Sequence, residues 1–165
     1  MTELSIRLAD ENDLPFITRI YNHYVLHSTA TFDGEPKTDE DQLRWLNQHG
    51  GKHPVLAALW DQHGVGWASL TGYSDRCAYA ETVELSVYVD HEWHGRGIGK
   101  ALMRELISHA RVSGIHTILA RITADNAVSL HLHASLGFRE VGVMKEVGVK
   151  FGQRLDVHLL QMMLK

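Results

Sequence analysis

Cysteine is nearly absent. The single one, Cys77 in 165 residues, excludes an internal disulfide and agrees with a reducing compartment. No apolar run approaches the roughly 20 residues that a membrane-spanning helix needs. The N-terminus shows neither the basic start nor the long apolar stretch of a secretory signal, so a cytoplasmic protein with no membrane partner is expected. A block of Lys and Arg is missing too, and with a net charge of −4 the chain carries no basic footprint for nucleic acid. Internal repeats and low-complexity segments are also lacking. The length fits one domain, 1–165, able to bury a real core. Histidine is abundant, with 12 residues, but metal-ligand spacing is not. His91-Glu92-Trp93-His94 falls one residue short of H-E-x-x-H, and His131 and His133 stand two apart on an expected helix, facing apart. No metal is expected. Cys77 reads as a passive small side chain, since a reactive thiolate needs a neighbouring base.

What the chain does have is concentrated between residues 83 and 102. Val83, Leu85, Val87 and Val89 alternate with Glu84, Ser86 and Tyr88, which sends apolar and polar side chains to opposite faces of a strand. Glu84 therefore points away from the apolar row. Six residues on, Gly95-Arg96-Gly97-Ile98-Gly99-Lys100 opens a helix marked by Ile98, Leu102, Leu106 and Ala110 and stopped by Gly114. Glycines at a helix entry let backbone N–H groups approach an anion closely, and the helix N-terminus adds partial positive charge. Arg96 and Lys100 add full charges.

Spacing tests the known phosphate loops. The dinucleotide fingerprint G-x-G-x-x-G fails because the third glycine is Gly99 and position 100 is Lys. A Walker loop fails because His94 stands where its first glycine belongs and Ala101 follows the lysine. What remains is G-x-G-x-G behind an acid-bearing strand.

Around this core the pattern predicts a strand at Ser5–Leu8, then a helix capped by Asp10 and running to about Leu26. A second helix is opened by Thr38 and Asp41. Val55–Trp60 and Val65–Leu70 read as a hairpin joined by Asp61-Gln62-His63-Gly64, and Ile115–Ile122 as a central strand. A short helix from Asn126 to Leu136 ends at Gly137, and strands at Arg139–Val147 and Leu155–Leu164 close the sheet. Met162-Met163 reads as core and edge packing. The order gives a mixed α/β fold.

The strand and glycine cradle resemble the acyl-CoA-binding segment of the GNAT superfamily of N-acetyltransferases. The resemblance extends over nearly the whole chain and narrows to the phosphinothricin N-acetyltransferase-like branch. Asn22-His23-Tyr24, Ser28-Thr29, Phe32, Glu35 and Pro36 look like its N-terminal segment, and Arg76, Tyr79, Thr82, Val83 and Glu84 like its strand entry. Asn126, Ser129, Leu132, His133, Gly137 and Phe138 match its later helix; Gly148, Lys150, Gly152, Asp156 and Val157 match its terminal hairpin. Two departures stand out: His94 replaces the usual Gln or Arg of the cradle, and Arg154 stands where the branch often has Trp.

The resemblance implies a mostly antiparallel, twisted sheet flanked by helices and an acetyl-CoA-dependent enzyme that acetylates the primary amine of a small amino acid-like molecule. Phosphinothricin, methionine sulfoximine and methionine sulfone are the substrates it implies, and a homodimer is its usual assembly. Acetyl-CoA would lie on the cradle amides of Gly95, Arg96, Gly97, Ile98, Gly99 and Lys100 and along the backbone of Val87, Tyr88 and Val89, with Asn126 and Ser135 nearby. Glu84 is the expected general base, against the plainer reading of an exposed strand carboxylate. His133 is expected to assist proton transfer or contact the thiolate, it or a nearby Tyr returning the proton to sulfur, against a packed helix histidine. Asn126 serves equally as a helix cap. Arg76, which with Tyr79 precedes the catalytic strand on the substrate side, is a candidate anion anchor or a surface charge, and Phe32 and Tyr24 are candidate walls of the substrate pocket or plain packing. Two other functions remain open, a peptide or protein acetyltransferase and a non-catalytic acyl-CoA-binding regulator.

Overall fold

A computed structural model describes residues 3–165, and its element order matches the sequence reading. The strands are β1 (Leu4–Leu8), β2 (Val55–Trp60), β3 (His63–Gly72), β4 (Thr82–Val89), β5 (Thr117–Thr123), β6 (Arg139–Lys150) and β7 (Gln153–Met163). The helices are α1 (Leu14–His27), α2 (Asp39–Asn47), α3 (Ile98–Val112) and α4 (Ala127–Ser135). One seven-stranded sheet, in the order β1-β2-β3-β4-β5-β7-β6, is antiparallel everywhere except between β4 and β5. That parallel pair needs a crossover, which α3 supplies.

Local chemistry explains where the elements begin. Thr38 and Asp41 form a reciprocal capping box at α2, with bonds of 3.1 and 3.0 Å. Asp10 caps a short 3-10 turn, Glu11–Asp13, rather than α1 itself. Helix α1 begins after it, with Pro15 in the first turn, where no N–H is needed. The β2–β3 connection is shorter than expected. Asp61 and Gln62 both take positive φ, at 49° and 70°, so a two-residue turn suffices and His63 and Gly64 already belong to β3. The terminal hairpin is likewise longer, because Phe151 and Gly152 turn at φ 51° and 73° and let the ladder run to Lys150 opposite Gln153.

Each face of the sheet has its own core. Helix α3 buries Ile98, Leu102, Met103 and Leu106 against Val65, Val83, Leu85, Ile118 and Ala120. On the other face Ile17 and Ile20 of α1 pack on Val55 and Trp67. Fully burying one such side chain is worth roughly 1.5–3 kcal/mol, so these faces fix both helices.

The feature that positions the site is a divergence in mid-sheet. Strand β4 stays paired with β3 as far as Val89 opposite Gly66, but its pairing with β5 stops at Glu84 opposite Leu119. Strand β5 meanwhile continues beside β7 to Thr123 opposite Val157. From Leu85 onward β4 therefore has no strand on its β5 side, and a cleft opens there. The divergence also explains why Val87 and Val89 are only half-buried, whereas Val83 and Leu85 of the same apolar row are fully covered.

Candidate active site

The cleft is a cavity of about 470 Å³ bounded by β4, β5, one side of α4, the Thr29–Phe32 segment and the β6–β7 hairpin. The cradle lies where β4 runs into α3. Gly95 and Gly97 adopt φ 76° and 77°, a left-handed conformation that costs a residue with a Cβ about 1–2 kcal/mol. Gly97 is the N-cap of α3, and the first helical bond runs from the Ala101 N–H to its carbonyl, 3.0 Å. The amides of Ile98, Gly99 and Lys100 precede that bond, which leaves them for an anion. Gly99 has a different duty: a Cβ there would lie 3.3 Å from Leu132 and 3.5 Å from Val89, so its smallness lets α4 approach β4 and α3.

The flanking charges divide. Arg96 lays its guanidinium over the Trp93 ring, 4.4 Å from the centroid, with Trp60 at 5.9 Å, so aromatic faces hold that charge beside the cradle. His94, the cradle's departure from the family pattern, bonds the Tyr24 hydroxyl at 2.8 Å, and both approach the Val89 carbonyl. The Val89 carbonyl is thus occupied from within the protein. Burial pushes the Tyr24 hydroxyl up to about 12, so it stays protonated and donates to that carbonyl.

In the cavity itself Glu84 is not alone. Arg121 on β5 grips it in a two-pronged pair, Nε to Oε1 at 2.7 Å and Nη2 to Oε2 at 2.8 Å. The pairing holds the Arg121 guanidinium above its ordinary range. Sequence reasoning did not select Arg121, although a signal existed. Ile118, Ala120 and Ile122 form the buried row of β5, and Arg121 is a lone charge on the opposite face of an otherwise uncharged central strand.

His133 is buried to 2% exposure within α4, edge-on to Phe138. Its Nδ1–H donates to the Ser129 carbonyl at 2.7 Å, and burial lowers its pKa below the usual histidine range. The ring is therefore neutral with Nε2 bare, an acceptor on the cavity wall rather than a proton donor. Asn126 caps α4 by accepting from the Ser129 N–H at 3.1 Å, and it also lines the cavity. Ser135 is exposed and turns its hydroxyl back onto the Leu132 carbonyl, 2.7 Å, away from the cavity lining.

Of the residues selected for the substrate side, Phe32 lines the cavity, its ring lying where a Cβ on Gly148 of β6 would be. Arg76 and Tyr79 do not line it. Arg76 is exposed at the start of the loop before β4, and Tyr79 packs edge-on against Tyr73 outside the cleft. The Thr29–Phe32 wall is fixed by Lys150, another residue whose part was not foreseen. Its buried Nζ donates to the carbonyls of Ser28 at 2.6 Å, Thr31 at 2.7 Å and Tyr24 at 3.4 Å, and burial lowers its pKa. Among the described residues no group of three or more potential ligands is arranged to hold a metal ion.

Known proteins are similar to this chain in sequence and in fold. The L-methionine sulfoximine/L-methionine sulfone acetyltransferase of Salmonella typhimurium is 40% identical over 165 residues, covering 98% of this chain and 95% of its own length. A phosphinothricin N-acetyltransferase of Streptomyces coelicolor is 40% identical over 94% of this chain and 93% of its own. The structure of yncA from Salmonella typhimurium with its cofactor acetyl-CoA superposes with a TM-score of 0.95 at 38% identity, covering 98% and 94% of the two chains. The Acetyltransferase (GNAT) family model matches residues 17–138, a span that holds the cradle and all of the cleft's walls except the β6–β7 hairpin, and the chain belongs to that family.

Proposed function

We propose that this chain transfers the acetyl group of acetyl-CoA to the primary amine of a small amino acid-like substrate of the methionine sulfone, methionine sulfoximine or phosphinothricin kind. The observation that carries the reading is the cavity at the β4–β5 divergence, which holds a carboxylate, together with the free helix amides of the cradle at the end of the same strand. The residues present fit the co-substrate: an anion faces the amides of 98–100, and an extended arm finds the backbone edge of Leu85–Tyr88 without a strand beside it. Acetyl-CoA, when bound, supplies an activated carbonyl and a thiolate leaving group.

The chain's residues do the rest. Glu84 takes the proton that the substrate ammonium must lose before its nitrogen can attack. A backbone amide on the free edge of β4 donates to the carbonyl oxygen as negative charge develops there. His133, with Nδ1–H committed to Ser129, contributes Nε2 as an acceptor that orients the amine or a linking water. The proton for the departing sulfur then comes from a hydroxyl. Tyr88 lines the cavity, and burial raises its pKa so that it keeps its proton. Asn126 shapes the far wall as a helix cap. Residues 1–165 act as one catalytic domain, since the sheet draws on strands from Leu4 to Met163. The fit to acyl-CoA favours the cytoplasm. A homodimer is favoured by edge strand β6, which leaves Val141, Val147 and Val149 exposed, with Phe151 exposed at its tip.

The test is release of CoA thiol from acetyl-CoA with methionine sulfone, methionine sulfoximine, phosphinothricin, common amino acids, a polyamine and a short peptide. Turnover of the first three, abolished in Glu84→Gln, supports the reading. Equal rates on peptides would move it to a protein acetyltransferase. Acetyl-CoA binding with no turnover of anything would make the chain a binding module.

A further inference from the structure

Among the described residues the cavity is lined by two full charges, Glu84 and Arg121, locked to each other. Other nearby cations are spent or outside: Lys150 is saturated by backbone carbonyls, Arg96 lies on Trp93, and Arg76 does not reach the lining. An α-amino acid presents the complementary set, one ammonium and one carboxylate on adjacent atoms. The Glu84–Arg121 pair is also open to exchange, since the Arg121 side chain is 60% exposed and that of Glu84 23%. Ion pairs in contact with solvent are held weakly.

We propose that Arg121 is the carboxylate anchor for the substrate and that the amino acid enters by exchanging ion partners. Its carboxylate takes the guanidinium fork that Glu84 occupies, and its ammonium takes the carboxylate so released. One ion pair becomes two, and no net charge enters the cavity. The planar fork of Arg121 suits the incoming carboxylate as well as it suits Glu84. Until a carboxylate arrives, Arg121 masks both oxygens of the base. A plain amine therefore meets an occupied Glu84, whereas an amino acid unmasks it on binding. The apolar Met144, Val147 and Val157 beside Thr31 and Thr123 then receive a side chain that is greasy with a polar end.

This inference rests on the acetyltransferase reading above, and the experiment separates the two. Wild type, Arg121→Ala and Arg121→Lys are assayed with methionine sulfone and with its decarboxylated counterpart, 3-(methylsulfonyl)propylamine. Binding of methionine sulfone in the presence of CoA is measured in parallel by calorimetry. Wild type should prefer the amino acid. In Arg121→Ala the ratio of kcat/KM for the two substrates should fall about 100-fold, carried by KM for the amino acid, with Arg121→Lys in between. Calorimetric affinity should weaken in step. A ratio unchanged within about threefold overturns the proposal, whichever way the individual rates move, because Arg121 would then only position Glu84. If wild type acetylates neither compound, the function reading fails and calorimetry alone decides the anchor: Arg121-dependent binding supports it, and absent or Arg121-independent binding overturns it.

Discussion

The cradle and the cavity are built from different materials. At the cradle the groups left exposed are backbone amides, entered through glycines whose φ angles are 76° and 77°. In the cavity they are side chains from strands that lie apart in sequence, Glu84 on β4 and Arg121 on β5, walled by Phe32 and held in shape by Lys150. A backbone site tolerates side-chain change, and His94, where the family usually has Gln or Arg, leaves the amides of 98–100 free of intrahelical bonds. A side-chain site does not, and its selectivity turns on single substitutions.

The sharpest break in this contrast is Glu84→Gln. It keeps size and polarity but removes the base, so kcat should fall about 10²–10⁴-fold while acetyl-CoA affinity, set at the cradle, stays within twofold or so. Steady-state kinetics with calorimetric titration of acetyl-CoA would check it, and a parallel loss of cofactor affinity would show that the two sites are not separable. Next comes Lys150→Met, which strips three carbonyls of their charged donor. We expect a loss of about 3 kcal/mol in stability, a Tm lower by roughly 10 °C and a raised KM for the amine, read by calorimetric melting and kinetics.

Gly97→Ala attacks the backbone site instead. A Cβ at φ 77° costs about 1–2 kcal/mol, so acetyl-CoA should bind roughly 10-fold more weakly with little change in KM for the amine. A change confined to the amine would reverse the assignment of the two sites. The smallest effect concerns His133. Its folded pKa is depressed by burial, so its contribution is intact above the unfolded value near 6.5 and is lost as pH falls from there toward the folded value. His133→Asn should make the melting temperature less sensitive between about pH 7 and 5, read by thermal melts across that range.

The same contrast explains what was legible beforehand. The cradle is contiguous in sequence and depends on residue types with strong backbone preferences, so Gly95, Gly97 and the α3 periodicity announce it. The element order was equally legible, because alternation and caps are local. Arg121 was not, since pairing it with Glu84 depends on the parallel register of Glu84 with Leu119, a long-range fact no short window contains. Lys150 looked like a hairpin lysine; its role depends on carbonyls more than a hundred residues upstream. Arg76 and Tyr79 are singled out by the resemblance of the strand entry, a likeness of residues that does not by itself locate a side chain, and neither lines the cavity of the chain. The terminal hairpin ran longer than expected because Phe151 turns at positive φ despite having a Cβ.

The divergence of β4 from β5 has a last consequence, for safety rather than catalysis. An unpaired strand edge on a protein's rim invites other chains to add to it. Here the vacant edge lies between two strands of the same sheet rather than on its outer rim, in a cleft bounded by α4 and the Thr29–Phe32 segment. The enzyme can thus offer a sticky backbone to its ligand without offering it to its neighbours in a crowded cell.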